Sequence, residues 1–263
     1  MKRNYFIIFI SLILYFLSNP VFAENSSPDF AREKRMADEI VDAILDGEPI
    51  KLKAGEHEFL AIDTEAEGDE KGAVIILHGR GFHPDWADAI NPLRVGLAKK
   101  GWRTLSLQMP VLEKSAKYYD YVPIFPTARP RIDAGIAYLE KAGVKNIVLL
   151  GHSCGAHMAM DWITANGDAG INAYIGVGMG ATDYKQPMKK YFPLEYMVVP
   201  VLDIFGEQEY PAVLKMAPER KAKIKKAGNP KSAQKIVPGA NHYFTDQGDA
   251  LVETVASWLD TLK

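Results

Sequence analysis

One serine lies between two glycines in Gly151-His152-Ser153-Cys154-Gly155, where a short apolar strand, Asn146 to Leu150, meets a helical stripe of Ala156, Ala159, Met160 and Ile163. A serine on so sharp a strand-to-helix turn takes strained backbone angles, and glycines two before and two after it make room. The turn lifts its hydroxyl to the carboxyl edge of a sheet, where ligands bind in such architectures. The chemistry this suits is nucleophilic attack on a carbonyl carbon. Cys154 is the rival nucleophile, but the same turn centred on it would need glycine where His152 and Ala156 stand. Its backbone N–H is expected to donate to an oxyanion, and its side chain to be a small buried hydrophobe.

A serine nucleophile needs a base, and the base needs an orienting acid. His242, in Gly239-Ala240-Asn241-His242-Tyr243-Phe244, follows the last expected strand and precedes the final helix. Of the other histidines, His57 precedes the core, His78 and His83 flank another turn, His152 fills the variable position of the serine motif, and His157 has packing as its default role. The acid should lie between Ser153 and His242. Glu209, three residues past Gly206, is favoured; Asp203, inside an apolar strand and costly there unless paired, is the alternative. A second oxyanion donor is expected in His78-Gly79-Arg80-Gly81, at the N–H of Arg80 or, alternatively, Gly81. Tyr118, Tyr119, Tyr121 and Phe125 supply either an aromatic wall for substrate or loop packing.

The elements that must position these groups alternate. Strands are expected at Phe59–Ile62, Ala73–Leu77, Trp102–Leu107, Asn146–Leu150, Ile171–Val177, Val198–Phe205 and Ser232–Val237. Helical stripes are Ile90, Leu93 and Leu97; Ile132, Ile136 and Leu139; and Leu251, Val255, Trp258, Leu259 and Leu262. Thr127 is expected to cap the second of these, and the stretch from Pro110 to Pro130 to be a loop. Strands alternating with helices give an α/β fold with a mostly parallel sheet covered on both faces. Between Gly178 and Val198 there is no room for a large lid domain. The basic stretch Lys215, Arg220, Lys221, Lys223, Lys225 and Lys226 reads as a solvated helix face.

The 263 residues are 48% hydrophobic and 24% charged, which excludes a disordered chain and a polytopic membrane protein. A net charge of −2 gives no basic footprint for nucleic acid. One cysteine excludes an intrachain disulfide and a cysteine-cluster metal site. Lys2 and Arg3, the apolar run Tyr5 to Leu17 and Val21-Phe22-Ala23 form a secretory signal pattern, with Glu24 as the expected mature start. The run is shorter than the ~20 apolar residues that span a bilayer. No stable membrane span is expected after cleavage, and a retained anchor is the alternative. The expected organisation is a signal peptide over 1–23, a helical arm over 24–57 and one catalytic domain over 58–263. The expected location is periplasmic or secreted.

Leu77-His78-Gly79-Arg80-Gly81, Gly151–Gly155, Phe205-Gly206-Glu207-Gln208-Glu209-Tyr210 and Pro238–Phe244, in that order, resemble the alpha/beta-hydrolase superfamily, and within it an exported bacterial subgroup known as a domain of unknown function. The resemblance implies a serine hydrolase with Ser153, Glu209 and His242 on the family's catalytic loops. Glutamate stands where aspartate is commoner. A carboxylic ester, as a small molecule or an acylated substrate, is the expected substrate, with no metal or organic cofactor. An acyltransferase using the same triad, or a non-catalytic envelope binding protein on this scaffold, is the alternative.

Overall fold

In the computed structural model, which describes residues 27–180, 188 and 190–262, alternation along each central strand decides the layering. The strands are β1 (Glu48–Ala54), β2 (His57–Thr64), β3 (Ala73–Leu77), β4 (Arg103–Leu107), β5 (Ile147–His152), β6 (Ala173–Val177), β7 (Val201–Gln208) and β8 (Ala233–Asn241). The helices are α1 (Phe30–Ile40), α2 (Ile90–Lys99), α3 (Tyr118–Tyr121), α4 (Arg129–Lys141), α5 (Cys154–Asn166), α6 (Pro211–Ala227) and α7 (Gly248–Leu259). Successive side chains on a strand face opposite ways. Val74 and Ile76 of β3 therefore join Leu93 and Leu97 of α2 and Val255 and Leu259 of α7 in one core. Ile75 and Leu77 join Ile132 and Leu139 of α4 and Ala156 and Met160 of α5 in the other. A strand buried on both faces has no polar side, which is why β3 and β5 read as unbroken apolar runs.

The eight strands run in the order β1-β2-β4-β3-β5-β6-β7-β8. β1 and β2 are antiparallel to their neighbours, and every pairing from β4 through to β8 is parallel. The carboxyl ends of β3, β5, β7 and β8 thus open on one edge of the sheet. A register shift between Gly206 and Gln208 ends the β7–β8 pairing irregularly, and Glu209 and His242 are the residues that follow those two strands.

Several expectations change. The arm expected over 24–57 is helical only to Ala43; Glu48–Ala54 is the sheet's first strand, joined to β2 by a two-residue turn. Its Ile50 and Leu52 face inward and Lys51 and Lys53 face solvent, the alternation of a charged edge strand. The presumed loop after Met109 holds α3 and a 3₁₀ segment over Val122–Ala128. The Thr127 hydroxyl donates to Ile124 O at 2.7 Å instead of capping α4. Arg220, expected on a solvated face, is buried. The signal sequence and its cleavage point lie outside the described residues. Among the described residues no helix is long and apolar enough to cross a membrane.

Candidate active site

Ser153 sits between β5 and α5 with φ 55° and ψ −119°. A non-glycine residue rarely adopts a positive φ, and the strain persists only where surroundings enforce it. They do so here. The Ser153 N–H donates to Val177 O of β6 at 2.8 Å, and Ser153 O accepts from Ala156 N–H at 3.0 Å. Gly155 lets α5 approach β3: a Cβ there would lie 2.3 Å from Leu77 O and 2.6 Å from His78 O. At Gly155 the backbones of α5 and β3 therefore meet directly.

The Ser153 hydroxyl lies 2.8 Å from His242 Nε2, and His242 Nδ1–H donates to the Glu209 carboxylate. All three are buried. With Nδ1–H directed at Glu209, Nε2 is left to accept the serine proton. The Tyr210 ring packs 4.7 Å from the imidazole, and its hydroxyl meets that of Tyr243 at 2.9 Å. Burial and then this hydrogen bond push the Tyr210 phenol above its usual range. Gly178, at φ +62°, leaves space for the base, since a Cβ there would stand 3.0 Å from His242 Cε1.

Asp203 does not join this group. It is fully buried inside β7, 2.8 Å from Arg220 Nε, and it accepts from Gln234 Nε2 at 2.7 Å. Burial holds its carboxyl above the ordinary range despite the guanidinium beside it. Arg220 is thus the partner that an aspartate in an apolar strand demands.

Cys154 is the first residue of α5 and is buried. Its N–H belongs to a helical first turn, whose N–H groups lack intrahelical acceptors and carry the positive end of the dipole. Arg80 and Gly81 are the central residues of a turn closed by Phe82 N–H donating to Gly79 O at 3.3 Å, with Gly81 at φ +74° in the place such a turn reserves for glycine. His78 anchors this turn. Met109 N–H donates to His78 Nε2 at 2.8 Å, so the ring proton sits on Nδ1, which donates to Gly79 O at 2.8 Å. Burial lowers the His78 pKa to about 3, keeping the ring neutral.

Residues that sequence reasoning did not find complete the support. Arg131 Nη1 of α4 donates to Gln108 O at 2.8 Å, beside Met109, and pairs with buried Glu33 of α1 at 2.9 Å. Arg32 of α1 donates to Gly81 O at 3.3 Å and to Leu112 O. The N-terminal helix is therefore fastened to the turn at Arg80 and Gly81. His152 is also engaged: its Nε2–H donates to His242 O at 2.9 Å, and burial lowers its pKa to about 3. Only the position of His152 in the motif could have signalled that role.

The expected aromatic wall is mostly core. Tyr118 and Phe125 are buried with ring centroids 4.9 Å and 5.7 Å from His157. Half-buried Tyr119 lies edge-on to Tyr118 at 5.4 Å. The Tyr121 hydroxyl accepts from Leu112 N–H at 2.9 Å, while its ring borders a groove beside the oxyanion turn. Helical spacing turns Tyr118 and Tyr121 of α3 inward, and the 3₁₀ segment after it buries Phe125.

Comparison with curated proteins finds no match. Among solved structures, Est1E from Butyrivibrio proteoclasticus is 16% identical with TM-score 0.62, covering 82% of this chain and 99% of its own. Dienelactone hydrolase from Anabaena variabilis is 16% identical with TM-score 0.62, covering 82% of this chain and 97% of its own. XC6422 from Xanthomonas campestris, an alpha/beta serine hydrolase without lid, is 12% identical with TM-score 0.57, covering 83% and 95%. These likenesses fix the architecture as that of alpha/beta hydrolases. A family model described as "Protein of unknown function (DUF3530)" matches residues 18–123 and 126–261. The chain belongs to the DUF3530 family and carries the alpha/beta-hydrolase fold.

Proposed function

We propose that this protein is a serine hydrolase that cleaves a carboxylic ester through an acyl-enzyme. The observation that carries the reading is the 2.8 Å contact between Ser153 Oγ and His242 Nε2, with Glu209 on the far side of the ring. Ser153 Oγ attacks the ester carbon while its proton passes to His242 Nε2, and the carbonyl π electrons move onto oxygen. The N–H groups of Cys154 and Arg80 hold that oxyanion. The intermediate collapses, and His242 gives its proton to the departing alkoxide. Water then attacks the acyl-enzyme with His242 again as base, and the acid leaves. The names of two structural neighbours, a dienelactone hydrolase and a serine hydrolase without lid, fit this reading. The N-terminal signal pattern supports action in the periplasm or outside the cell.

Labelling with a fluorophosphonate probe tests the reading. The wild-type chain is expected to be labelled and Ser153→Ala not, with turnover of 4-nitrophenyl esters lost by at least about 10³-fold. A folded wild-type chain that takes no label would overturn it and leave a non-catalytic binding protein.

A further inference from the structure

Beside the oxyanion turn lies a groove of about 800 Å³ whose walls are α1, the segment 80–86 and the segment 113–121. Ser153 and His242 do not line it, but Arg80, whose N–H is proposed to serve the oxyanion, and Tyr243, whose ring centroid is 5.2 Å from that of His242, do. One wall is aromatic. Phe82 stacks on Trp86 with ring centroids 4.1 Å apart, and Tyr243 meets Phe82 edge-on at 5.9 Å. Trp86 Nε1 has no acceptor among the described residues.

The charged part of the lining has a cationic excess, in a chain whose net charge is −2. Arg32, Arg35, Arg80, Lys114 and Lys117 face Glu39 and Glu113. The two guanidinium contacts of Arg32 go to backbone carbonyls, which do not neutralise its charge. His83, between these groups, has its pKa lowered by burial in spite of Asp85 and Glu39, so it adds no charge near neutrality. Positive charges gathered over a concave, partly apolar wall concentrate anions there, and do so less as salt screens them.

We propose that this groove selects esters carrying an oxyanion group, carboxylate or phosphate, away from the scissile bond. The proposal rests on the hydrolase reading above and names its substrate class. A charge held away from the reacting carbon is bound alike before and in the transition state, so its effect falls on KM rather than kcat.

The test compares matched esters at low salt: the 4-nitrophenyl hemiester of adipic acid and its phosphonate-tailed counterpart against 4-nitrophenyl hexanoate. The hexanoate ester of 3-hydroxybenzoate against phenyl hexanoate places the charge on the alcohol side instead. An anionic member of at least one pair is expected to be preferred about tenfold in kcat/KM, through KM, with the preference shrinking toward unity in about 1 M salt. The carboxylate and phosphonate arms show which oxyanion fits. The double variant Arg35→Glu with Lys114→Glu should erase the preference. Lys225→Glu with Lys226→Glu on α6 changes net charge equally and should preserve it. Equal kcat/KM within every pair, or a preference unaffected by salt and by the groove variant, would overturn the proposal while leaving the hydrolase reading intact. No turnover of any ester and no fluorophosphonate label would instead mean that the hydrolase reading had failed, and this one with it.

Discussion

The turns that carry Ser153 and Arg80 follow adjacent strands, β5 and β3, yet they are held in different ways. The Ser153 turn is shaped by its own neighbourhood, its flanking glycines and the first turn of α5, with single hydrogen bonds to β6 and, from His152, to His242 O. The Arg80 turn is held from a distance. His78 is fixed by Met109, the Gln108 backbone beside it by Arg131 and Arg131 by Glu33, and Gly81 is fixed by Arg32. The serine turn can therefore be specified by a short motif, whereas the turn at Arg80 depends on the N-terminal helix. Damage to the first should abolish chemistry, and damage to the second should attenuate it.

The region of β7 offers the hardest test of that division, because Asp203 lies inside the strand and Glu209 directly follows it. Glu209→Gln removes the negative charge that faces His242 Nδ1–H while keeping shape, and kcat should fall by about 10³-fold or more, with folding little affected. Asp203→Asn should do the reverse. It leaves the buried Arg220 charge uncompensated at a cost of about 3–5 kcal/mol, while the folded fraction keeps kcat within about threefold. Urea unfolding and steady-state kinetics on both variants check this. The reverse pattern, with Asp203→Asn silencing a stable protein, would reassign the acid.

The same contrast explains what the sequence made legible. The glycines around Ser153, the apolar runs of β3 and β5 and the helical stripes are local signals, readable within a dozen residues, and they suffice for the layers and the nucleophile. Glu209 and His242 were readable as residues that follow strands. Arg220 was misread because its partner Asp203 is 17 positions away and on another element. Glu33 and Arg131, 98 positions apart, gave no sign of one another. Spacing along a helix reports which face is apolar. It does not report that a charge on that face has a buried counterion.

Arg32 measures how far the oxyanion turn depends on α1. Arg32→Ala frees the carbonyls of Gly81 and Leu112 without touching the triad. With a neutral ester, kcat is expected to fall about tenfold with KM nearly unchanged, less than the 10²–10³-fold loss of an oxyanion donor itself, because the turn is loosened and not removed. Arg32→Lys, which can reach one of the two carbonyls, should recover part of the loss. Fluorophosphonate labelling of Ser153 should persist. Unchanged kcat would show the turn to be as self-supporting as the serine's.

Acid reaches both turns through their buried histidines. His78 under the oxyanion turn and His152 in the serine turn have pKa values lowered to about 3, and His157 on α5 to about 4, burial being the leading cause in each. Unfolded histidine takes up a proton below about 6.5, whereas these folded rings stay neutral, so the unfolded state binds more protons throughout the window between. Stability is full above that window and declines as pH falls through it, by up to about 1.4 kcal/mol per pH unit for each ring. Urea midpoints at about pH 7, 6 and 5 should fall accordingly. His157→Phe, which keeps an aromatic ring among Tyr118, Phe125 and Phe192, should make the decline shallower at the cost of the 3.1 Å hydrogen bond from His157 Nε2–H to Gly180 O. If midpoints stay level from pH 7 to pH 5, the folded rings take up protons as readily as the unfolded ones do. His78 could not then keep the neutral form that lets Nε2 accept from Met109 N–H, and the distant support of the oxyanion turn would need another basis.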